Sequence, residues 1–439
     1  MAEPISILIV GAGLAGLATG ISLALETQDR PVDHRPKITI LEALPSLAPV
    51  GAGLQLTPNA TRLLARWGLL QKIEAVCAEP RRLVVHRYAD GEVLACDERF
   101  SERVRGRYDG NPFIDVHRGD LQGLLYERAK GLGVGVEWAE RVKEMDFDRT
   151  EASGVRVLAE SGRVFEADLL VGADGIWSRC REALLMQSDP PLPTGDLAYR
   201  IVLTTDALGE DEELRRWVQR PECHFWIGPN SHVVGYSVRG GDMFNLVLLC
   251  PDDLPSDVAR QRGETSEMKK LFEGWDPILS RFLDKVTKVD KWKLMHRPAM
   301  ERWVSEGGTL ALIGDSCHPM LPYLAQGANS AMEDGAVLGW CVGQVKSKVD
   351  LRRAVSLYER VRKERGERVA QETFLQRHQF HMPDGPEQEE RDRIFASQLD
   401  KDDIDDTIQF PSRWTCGIAQ RWLYGYDAYA AAKEASQAA

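Results

Sequence analysis

A glycine-rich turn between an apolar strand and a helix constrains this chain more than any other feature. Residues 5–25 read ISILIVGAGLAGLATGISLAL, so the strand leads directly into Gly11, Gly13 and Gly16. In this pattern the first glycine permits a tight turn, the second lets the backbone approach a pyrophosphate, and the third lets the helix pack closely on the sheet. The helix N-terminus then presents free N–H groups to the phosphates. The turn therefore predicts a dinucleotide site on an α/β fold.

An acidic residue ends the next predicted strand. The segment KITILE ends in Glu42, where a carboxylate can bind the adenosine ribose hydroxyls. The spacing from Gly16 exceeds the usual roughly 20 residues, and the polar loop 26–36 accounts for the excess. The motif alone leaves NAD, NADP and FAD open. We expect neither a signal peptide nor a membrane span at 5–25, because glycines interrupt the apolar run and no basic segment precedes it.

The charge balance and the cysteines limit the class of protein. A formal net charge of −12 argues against nucleic acid and anionic membrane surfaces as partners. The eight cysteines are scattered and form no C-x-x-C pair, so we expect reduced thiols, a cytoplasmic protein and no metal site. His378 and His381 lie close together in a charged stretch. We expect a solvated pair there rather than metal ligands.

Beyond Glu42 the sequence predicts a loop close to a ligand and then several strands. Gly51 and Gly53 predict a loop whose backbone approaches a ligand, with Ala52 and Gly53 as the candidate contacts, and an ordinary glycine-rich loop is the alternative. Residues 81–99 predict a hairpin with an Asp-Gly turn. Residues 196–250 are β-branched and aromatic, and they predict an antiparallel sheet distinct from the α/β part.

Three glycine–acid stretches lie far apart in the chain: GAGLAG (11–16), GADG (172–175) and GD (314–315). In this order they resemble the single-component FAD-dependent aromatic hydroxylases, the group of p-hydroxybenzoate hydroxylase and salicylate hydroxylase. The segments VGYSVRGGDMFNLV (234–247) and WLYGYDA (422–428) are similar to the fungal salicylate-hydroxylase-like enzymes of secondary metabolism. The resemblance covers nearly the whole chain, and the order of the three motifs is more specific than any one of them.

This resemblance implies a fold class of α/β plus antiparallel β. It implies a Rossmann-like FAD-binding domain of the GR2 type, an inserted substrate-domain sheet and a C-terminal helical part. The predicted parts are 1–80 and 100–195 for the first parts of the FAD-binding domain, 81–99 and 196–300 for the substrate domain, 301–345 for the last part of the FAD-binding domain, and 346–439 for a helical cap.

The resemblance also implies which residues hold FAD. The glycine-rich turn and Glu42 would hold the ADP half. Arg118 would be a cation near the phosphate and ribityl side, and a surface ion pair with Asp120 is the alternative. Asp174 would serve both FAD binding and engagement of the nicotinamide cofactor, and capping of the next helix is the alternative. Asp315 would accept hydrogen bonds from the ribityl hydroxyls.

A further helix N-terminus completes the implied cofactor site. The segment Gly327, Ala328 and Asn329 begins a helix that would point at the flavin pyrimidine ring, where reduced flavin carries negative charge. His318 would shape the loop along the flavin, and an acid–base role is the alternative. There is no second strand–glycine–helix unit for NAD(P)H. The resemblance implies that this reductant binds transiently over the FAD-binding domain.

The implied reaction is hydroxylation of a small phenolic substrate. NAD(P)H reduces FAD, O₂ adds to give a flavin C4a-hydroperoxide, and its distal oxygen attacks the ring. Arg200 and Tyr236 match the positions of a substrate-handling arginine and tyrosine in the fungal relatives. An arginine stabilises the phenolate, and a tyrosine can orient or deprotonate the phenol. A structural pair within the sheet is the alternative, and His232, Arg239 and Trp226 are secondary candidates.

Two other functions are compatible with the sequence. A flavin oxidase or dehydrogenase on the same fold would make H₂O₂ without oxygenating anything. A non-catalytic flavin-sensing module would bind the cofactor without turnover. The sequence leaves open the substrate, the ring position, dearomatising or decarboxylative outcomes, NADPH against NADH, and whether the protein is a monomer or a homodimer.

Overall fold

The computed structural model describes residues 4–47, 51–147, 154–399, 407 and 409–438. The acidic stretch 400–406, part of the predicted cap, lies outside the described residues. The strands are β1 (Ser6–Val10), β2 (Lys37–Leu41), β3 (Gly53–Leu56), β4 (Arg82–Arg87), β5 (Val93–Asp97), β6 (Ile114–His117), β7 (Gly135–Glu137), β8 (Val142–Asp146), β9 (Val155–Ala159), β10 (Val164–Ala167), β11 (Leu169–Gly172), β12 (Leu192–Thr204), β13 (Glu222–Gly228), β14 (Ser231–Val238), β15 (Met243–Pro251), β16 (Arg260–Gly263), β17 (Val289–His296) and β18 (Leu310–Leu312).

The α-helices alternate with these strands and then fill the C-terminal part. They are α1 (Leu14–Glu26), α2 (Pro58–Arg66), α3 (Leu70–Glu74), α4 (Phe100–Arg107), α5 (Arg118–Gly131), α6 (Arg179–Leu185), α7 (Glu212–Gln219), α8 (Thr265–Leu271), α9 (Pro277–Asp284), α10 (Gln326–Gly343), α11 (Leu351–Phe380), α12 (Pro386–Ala396), α13 (Gly417–Tyr424) and α14 (Ala428–Gln437).

A parallel sheet forms the first layer of the molecule. Its order is β18-β11-β1-β2-β7, and every neighbouring pair is parallel. Strands buried on both faces need continuous apolar runs, which the segment ILIV of β1 supplies. Segments 169–172 and 310–312 are far from β1 in sequence, yet they become its near neighbours in the sheet. The three glycine–acid stretches therefore meet at the carboxyl end of one sheet.

Helices α1 and α10 pack side by side and run in the same direction. A Cβ at Gly335 would lie 2.7 Å from the backbone nitrogen of Thr19, and one at Gly343 would lie 2.6 Å from Cβ of Glu26. Contacts that advance together along both helices require a parallel arrangement, and glycine allows the close approach. Both N-termini consequently lie at the same end of the molecule.

The second layer is an eight-stranded sheet of order β16-β17-β12-β15-β14-β13-β4-β5. Its neighbours are antiparallel except for the parallel pair β4 and β13. Because side chains alternate between faces, one face carries Tyr199, Trp226 and Leu248, which belong to a core that also contains residues of helices α7 to α9. The opposite face carries Arg200 and Tyr236. The hairpin predicted at 81–99 pairs into this sheet as β4 and β5.

The observed fold class confirms the prediction of an α/β fold with an added antiparallel sheet and a helical C-terminal part. One local prediction was wrong: Gly53 does not lie in a loop but begins β3, which pairs with β6. All eight cysteines are free. In the described ranges, the helices are too short or too polar to span a bilayer.

Candidate functional site

One cavity of about 320 Å³ lies between the carboxyl end of the parallel sheet and the open face of the eight-stranded sheet. This volume is within the range of roughly 300–1,000 Å³ that small-molecule sites occupy. Nine of the predicted site residues line it: Gly13, Ala52, Gly53, Arg118, Arg200, Tyr236, Asp315, Gly327 and Ala328. The structure thus brings together residues that are separated by more than half of the chain.

The three glycines of the turn have different environments. Gly11 has a φ of +106°, and a Cβ there would lie 2.5 Å from the carbonyl oxygen of Ala173. A Cβ at Gly16 would lie 2.1 Å from the carbonyl oxygen of Gly11. Both glycines are therefore required by the packing of the protein itself. By contrast, no atom lies within 4 Å of a Cβ at Gly13, whose backbone faces the cavity.

Glu42 binds the glycine-rich turn directly. Its carboxylate accepts hydrogen bonds from the backbone N–H groups of Ala12 at 2.8 Å and Leu44 at 2.9 Å. These bonds fix the turn against the end of β2, so Glu42 holds the shape of the site. Its side chain is not among the groups that line the cavity.

Asp174 caps helix α6. Its carboxylate accepts hydrogen bonds from the hydroxyl of Ser178 and from the backbone N–H groups of Arg179 and Cys180, at 2.5, 2.8 and 3.1 Å. This is the capping geometry that we gave as the alternative. Ala173 and Gly175 line the cavity on either side of Asp174, whereas its own side chain does not.

Asn329 fastens strand β3 to helix α10. Its side-chain oxygen accepts a bond of 2.9 Å from the N–H of Thr57, and its amide nitrogen donates to the carbonyl of Gln55 at 3.1 Å. Asn329 is completely buried. Its amide is thus occupied by the protein, and it acts on the cavity by positioning β3.

Arg118 and Asp315 carry charges that point into the cavity. In the described part of the chain, neither side chain has a hydrogen-bond or ion-pair partner. The alternative partner of Arg118, Asp120, is instead bound by Arg239 at 2.8 Å. Burial raises the pKa of Asp315, and the charges of His318 and Arg118 oppose that rise. Protein surrounds the carboxylate of Asp315, so the part of this residue that stays accessible faces the cavity.

Arg200 is a second cation without a carboxylate partner in the described residues. Its guanidinium carbon lies 5.2 Å from the centre of the Trp292 ring. The side chain of Arg200 projects into the cavity, so it retains accessible surface although protein encloses it. Burial lowers the pKa of Arg200, and nearby Arg118 adds to this, but a guanidinium stays protonated in proteins. An enclosed, unpaired cation favours an anionic ligand group.

Tyr236 lies two strands from Arg200 on the same face. Burial raises the pKa of Tyr236 well above its usual value. Its phenol therefore stays un-ionised and is suited to orient a ligand rather than to deprotonate one. Its hydroxyl has no partner among the residues that the structure describes.

Several cavity residues were missed or given less weight by the sequence analysis. His232, Phe225, Tyr323 and Trp414 also line the cavity. The spacing of His232 from Tyr236 along β14 is even, which places both on one face and was the available signal. Trp414 carries no such signal, because it belongs to the C-terminal part and reaches the cavity through the fold. Its indole donates to the carbonyl of Tyr323 at 2.9 Å.

The expectation of a solvated histidine pair was wrong for His381. It is only 8% exposed, and its Nε2 lies 2.7 Å from Nδ1 of His232. The other two secondary candidates lie away from the cavity. Trp226 donates to Asp276 on the opposite face of the sheet at 2.6 Å, and Arg239 binds Asp120 at the surface.

His318 also has a structural role. It pairs with the buried carboxylate of Asp334, which in turn binds Arg362 at 2.8 Å. Burial opposes a charge on the imidazole, yet Asp334 raises the pKa of His318. Cys317, His318 and Asp334 are close enough together to ligate a metal, but the carboxylate already serves two cationic partners. The group is explained without an ion.

The cavity suits FAD by the chemistry of its free groups. The open backbone at Gly13 and the guanidinium of Arg118 suit a pyrophosphate. The unpartnered carboxylate of Asp315 suits ribityl hydroxyls. At the start of α10, a Cβ at Gly327 would meet only Met320, at 3.9 Å, so the helix N-terminus is open to a ring that carries negative charge.

The fold and the cavity together define a protein that binds a dinucleotide at one end and a small ligand at the other. A sequence profile of the family described as FAD binding domain matches residues 4–373. The FAD-dependent monooxygenase OpS4 of Beauveria bassiana (strain ARSEF 2860) is 47% identical over 435 residues, which cover 99% of this chain and 97% of that protein. The chain belongs to the FAD binding domain family and, within it, to the FAD-dependent monooxygenases.

Other relatives act on aromatic acids. The 3-hydroxybenzoate 6-hydroxylase of Klebsiella oxytoca is 30% identical, with 97% of this chain and 98% of that protein covered. A salicylate hydroxylase solved as a substrate complex superposes with a TM-score of 0.78 at 21% identity, covering 99% of this chain and 98% of the other. At that identity the structural likeness establishes the shared fold. These relatives confirm the predicted resemblance to the aromatic hydroxylases.

Proposed function

We propose that the protein is an NAD(P)H- and O₂-dependent FAD monooxygenase that hydroxylates a small phenolic substrate of a secondary-metabolite pathway. The observation that carries this proposal is the continuity of one cavity. It extends from Gly13 at the glycine-rich turn to Arg200 and Tyr236 on the sheet. A cofactor held at the first end and a ring held at the second would thus share one enclosed space.

The residues at the first end would hold FAD. Gly13 and Arg118 are assigned to the pyrophosphate, Asp315 to the ribityl hydroxyls, and the backbone N–H groups at Gly327 and Ala328 to the flavin ring. Glu42 is assigned to the adenosine ribose in addition to its bonds with the turn. When bound, FAD supplies the chemistry that takes electrons from NAD(P)H and transfers oxygen from O₂.

Arg200 and Tyr236 would hold the substrate at the second end. Arg200 stabilises the phenolate, which is the more nucleophilic form of the ring, because it is a fixed cation in an enclosed space. Tyr236 donates its hydroxyl proton as a hydrogen bond and orients the ring. Among the described residues, neither the guanidinium of Arg200 nor the hydroxyl of Tyr236 has a hydrogen-bond or ion-pair partner, which supports a role toward a ligand.

Apart from His232 and Tyr323, most of the wall at the substrate end is apolar. Its wall contains Phe225, Val234, Val247, Leu249 and Trp414. Such a wall packs an aromatic ring on both sides and excludes water, which protects reactive oxygen species from unproductive decay. A substrate of one aromatic ring with one acidic group and apolar substituents matches this lining.

The proposal also includes a cellular location and an oligomeric state. We place the enzyme in the cytoplasm as a monomer or homodimer, with no nucleic acid or membrane as partner. The net charge of −12 and the free cysteines support that environment. Dearomatising and decarboxylative hydroxylation are both compatible with the cavity, since either begins from a bound phenolate.

The test is NADPH and NADH oxidation by the FAD-loaded protein across resorcinols, salicylates and acylphenols, with mass spectrometry of the products. We expect at least one phenol to stimulate oxidation tenfold or more and to gain one oxygen atom. Stimulated oxidation that yields only H₂O₂ would instead identify a flavin oxidase. Protein that retains no flavin and oxidises neither nucleotide would contradict the proposal altogether.

A further inference from the structure

His232 and His381 join the cavity to the C-terminal part of the chain. Nδ1 of His232 lies 2.7 Å from Nε2 of His381. At this distance one nitrogen carries the shared proton and the other accepts it. His232 is 1% exposed and His381 is 8% exposed, so His381 retains more accessible surface than His232. A hydrogen bond between two imidazoles is a path along which a proton can move.

The outer nitrogens of the pair are both free. Nε2 of His232 and Nδ1 of His381 have no hydrogen-bond partner in the described residues, and both retain accessible surface. The buried Nδ1 atoms of His117 and His318 differ, since they are closed off without a partner. His232 lines the cavity, and Nε2 is the ring nitrogen that its hydrogen bond with His381 leaves free.

The groups around the pair keep both rings neutral. In the sheet His232 is flanked only by Ile227 and Leu249, which are apolar. Burial lowers the pKa of His232 well below its usual value, and the neighbouring histidine adds to this. Burial also lowers the pKa of His381, to about 4. Each ring therefore carries one proton at neutral pH, and the pair can both accept and donate.

Three polar residues lie beside the pair, and the two that are charged, Asp196 and Arg377, balance one another. The Tyr323 ring packs beside both imidazoles, with centroid distances of 5.1 Å to His232 and 5.5 Å to His381. Its hydroxyl is bound by Asp196, and the same carboxylate binds Arg377 at 2.6 Å. Asp196 is thus neutralised by Arg377, and neither charge holds a proton on the pair.

On the basis of the proposed function, we propose that His232 and His381 form a relay that carries the substrate's phenolic proton out of the cavity. Nε2 of His232 takes the proton as the O–H bond breaks. The proton on Nδ1 of His232 passes to Nε2 of His381, and His381 releases its Nδ1 proton to water. Two N–H bonds form and two break, so both rings are neutral before and after. The phenolate stays beside Arg200.

The other groups at the substrate end are poorly suited to this task. Tyr236 holds its own proton because burial raises its pKa. Asp315 lies at the cofactor end, and Arg200 cannot accept a proton. The reverse transfer through the same pair returns the rings to their first tautomers when the product is protonated. The C-terminal part then contributes to proton transfer as well as to packing.

The test measures proton release in FAD-loaded protein without NADPH, so that no turnover occurs. Protein is mixed with 2,4-dihydroxybenzaldehyde, 2,4-dihydroxyacetophenone or 3-hydroxybenzoate in weak buffer with a pH indicator dye. In His381→Gln the amide oxygen still accepts from His232 but cannot pass a proton on. We expect release at least tenfold slower than in the parent, with Kd changed less than threefold and FAD retained. His381→Phe should slow release equally.

The matched control is His378→Gln, which removes an exposed imidazole one turn away and should leave the rate unchanged. Release by His381→Gln at the parent rate overturns the relay, and so does the absence of release with every phenol that binds. Product formation by the parent with NADPH and O₂ is measured in parallel. A failure of hydroxylation with intact proton release therefore contradicts the proposed function and not the relay.

Discussion

At the glycine-rich turn the cavity wall is backbone, whereas at the sheet it is made of side chains. Near the turn, Glu42, Asp174 and Asn329 are already hydrogen-bonded to protein N–H or C=O groups. Their role is to hold backbone atoms in place. On the sheet, Arg200 and Tyr236 have no such partners in the described residues. This difference supports the proposal that the first end recognises a ligand by its phosphates and the second recognises a ligand by one acidic group.

From this difference we expect substitutions at the two ends to have different effects. A backbone site depends on packing behind it, so substitutions there alter stability together with binding. Side chains that have no hydrogen-bond or ion-pair partner in the folded protein contribute little to its stability. Substitutions at such a site therefore alter function and leave stability unchanged or improved. Arg118 and Asp315 are the informative exceptions, because their side chains line the cofactor end without a hydrogen-bond or ion-pair partner among the described residues.

The largest effect is expected from Gly11→Ala. The new Cβ would meet the carbonyl of Ala173 at 2.5 Å, at a φ of +106°, so the free energy of unfolding should fall by about 3 kcal/mol. The matched control is Gly13→Ala, where nothing lies within 4 Å. That change should move the stability of the apoprotein by less than about 1 kcal/mol while weakening FAD binding. Urea unfolding of both apoproteins measures the two losses of stability. Equal losses would contradict the distinction between Gly11 and Gly13.

The next effect is the loss of oxygenation in Arg200→Ala. Removing the cation that stabilises the phenolate should lower product formation about 100-fold, with FAD retained and NADPH oxidation poorly stimulated by substrate. Arg260→Ala is the control, because Arg260 contacts the same Trp292 ring at 4.1 Å from an exposed position. Product yield by mass spectrometry is the readout. Normal turnover by Arg200→Ala would make this arginine structural.

A smaller effect is expected for Asp315→Ala. Loss of charge-assisted hydrogen bonds to hydroxyls should raise the Kd for FAD about tenfold, measured by flavin fluorescence on titration into apoprotein. Asp120→Ala removes a surface carboxylate that binds Arg239 and should leave this Kd unchanged. An Asp315→Ala protein that binds FAD as tightly as the parent would remove Asp315 from the site.

The smallest effect concerns the stability of the apoprotein. Burial raises the pKa of Asp315. Its contribution to the free energy of unfolding is therefore complete below its pKa in the unfolded chain, about 3.9, and is lost as the pH rises through its pKa in the folded protein. Asp315→Asn should then stabilise the apoprotein at pH 7, by less than about 1 kcal/mol because the carboxylate faces an open cavity. The gain should vanish in acid. Urea unfolding from pH 3 to 8 measures it, and a gain that grows in acid has the wrong sign.

The sequence predicted what depends on local pattern. The turn at Gly11 to Gly16 is recognisable because a strand, three glycines and a helix adjoin in the chain. Arg200 and Tyr236 were found from a resemblance, and the alternation of side chains in β12 and β14 explains why they share a face. The roles of the carboxylates were harder to predict. Asp174 belongs to a recognisable motif, but only the structure shows that its carboxylate binds the N-terminus of α6.

What the sequence could not predict are contacts that only the topology creates. His232 and His381 are separated by 149 residues, and no pattern in either segment refers to the other. Trp414 reaches the cavity because the C-terminal part folds back onto the eight-stranded sheet. There its ring packs at a tilt against Phe225, with ring centroids 4.9 Å apart. The charged stretch around His381 predicted an exposed side chain, but His381 directly follows helix α11, and this end of the helix is buried.

Isotope incorporation tests most directly whether the two ends of the cavity serve one reaction. The FAD-loaded protein is supplied with ¹⁸O₂, NADPH and the phenol that most stimulates oxidation, and labelled product is compared with NADPH consumed. We expect one ¹⁸O atom in the product and a ratio near one for the parent, falling toward zero in Arg200→Ala as H₂O₂ rises. Stoichiometric H₂O₂ from the parent, with no labelled product, would contradict a monooxygenase that couples its flavin to a substrate on the sheet.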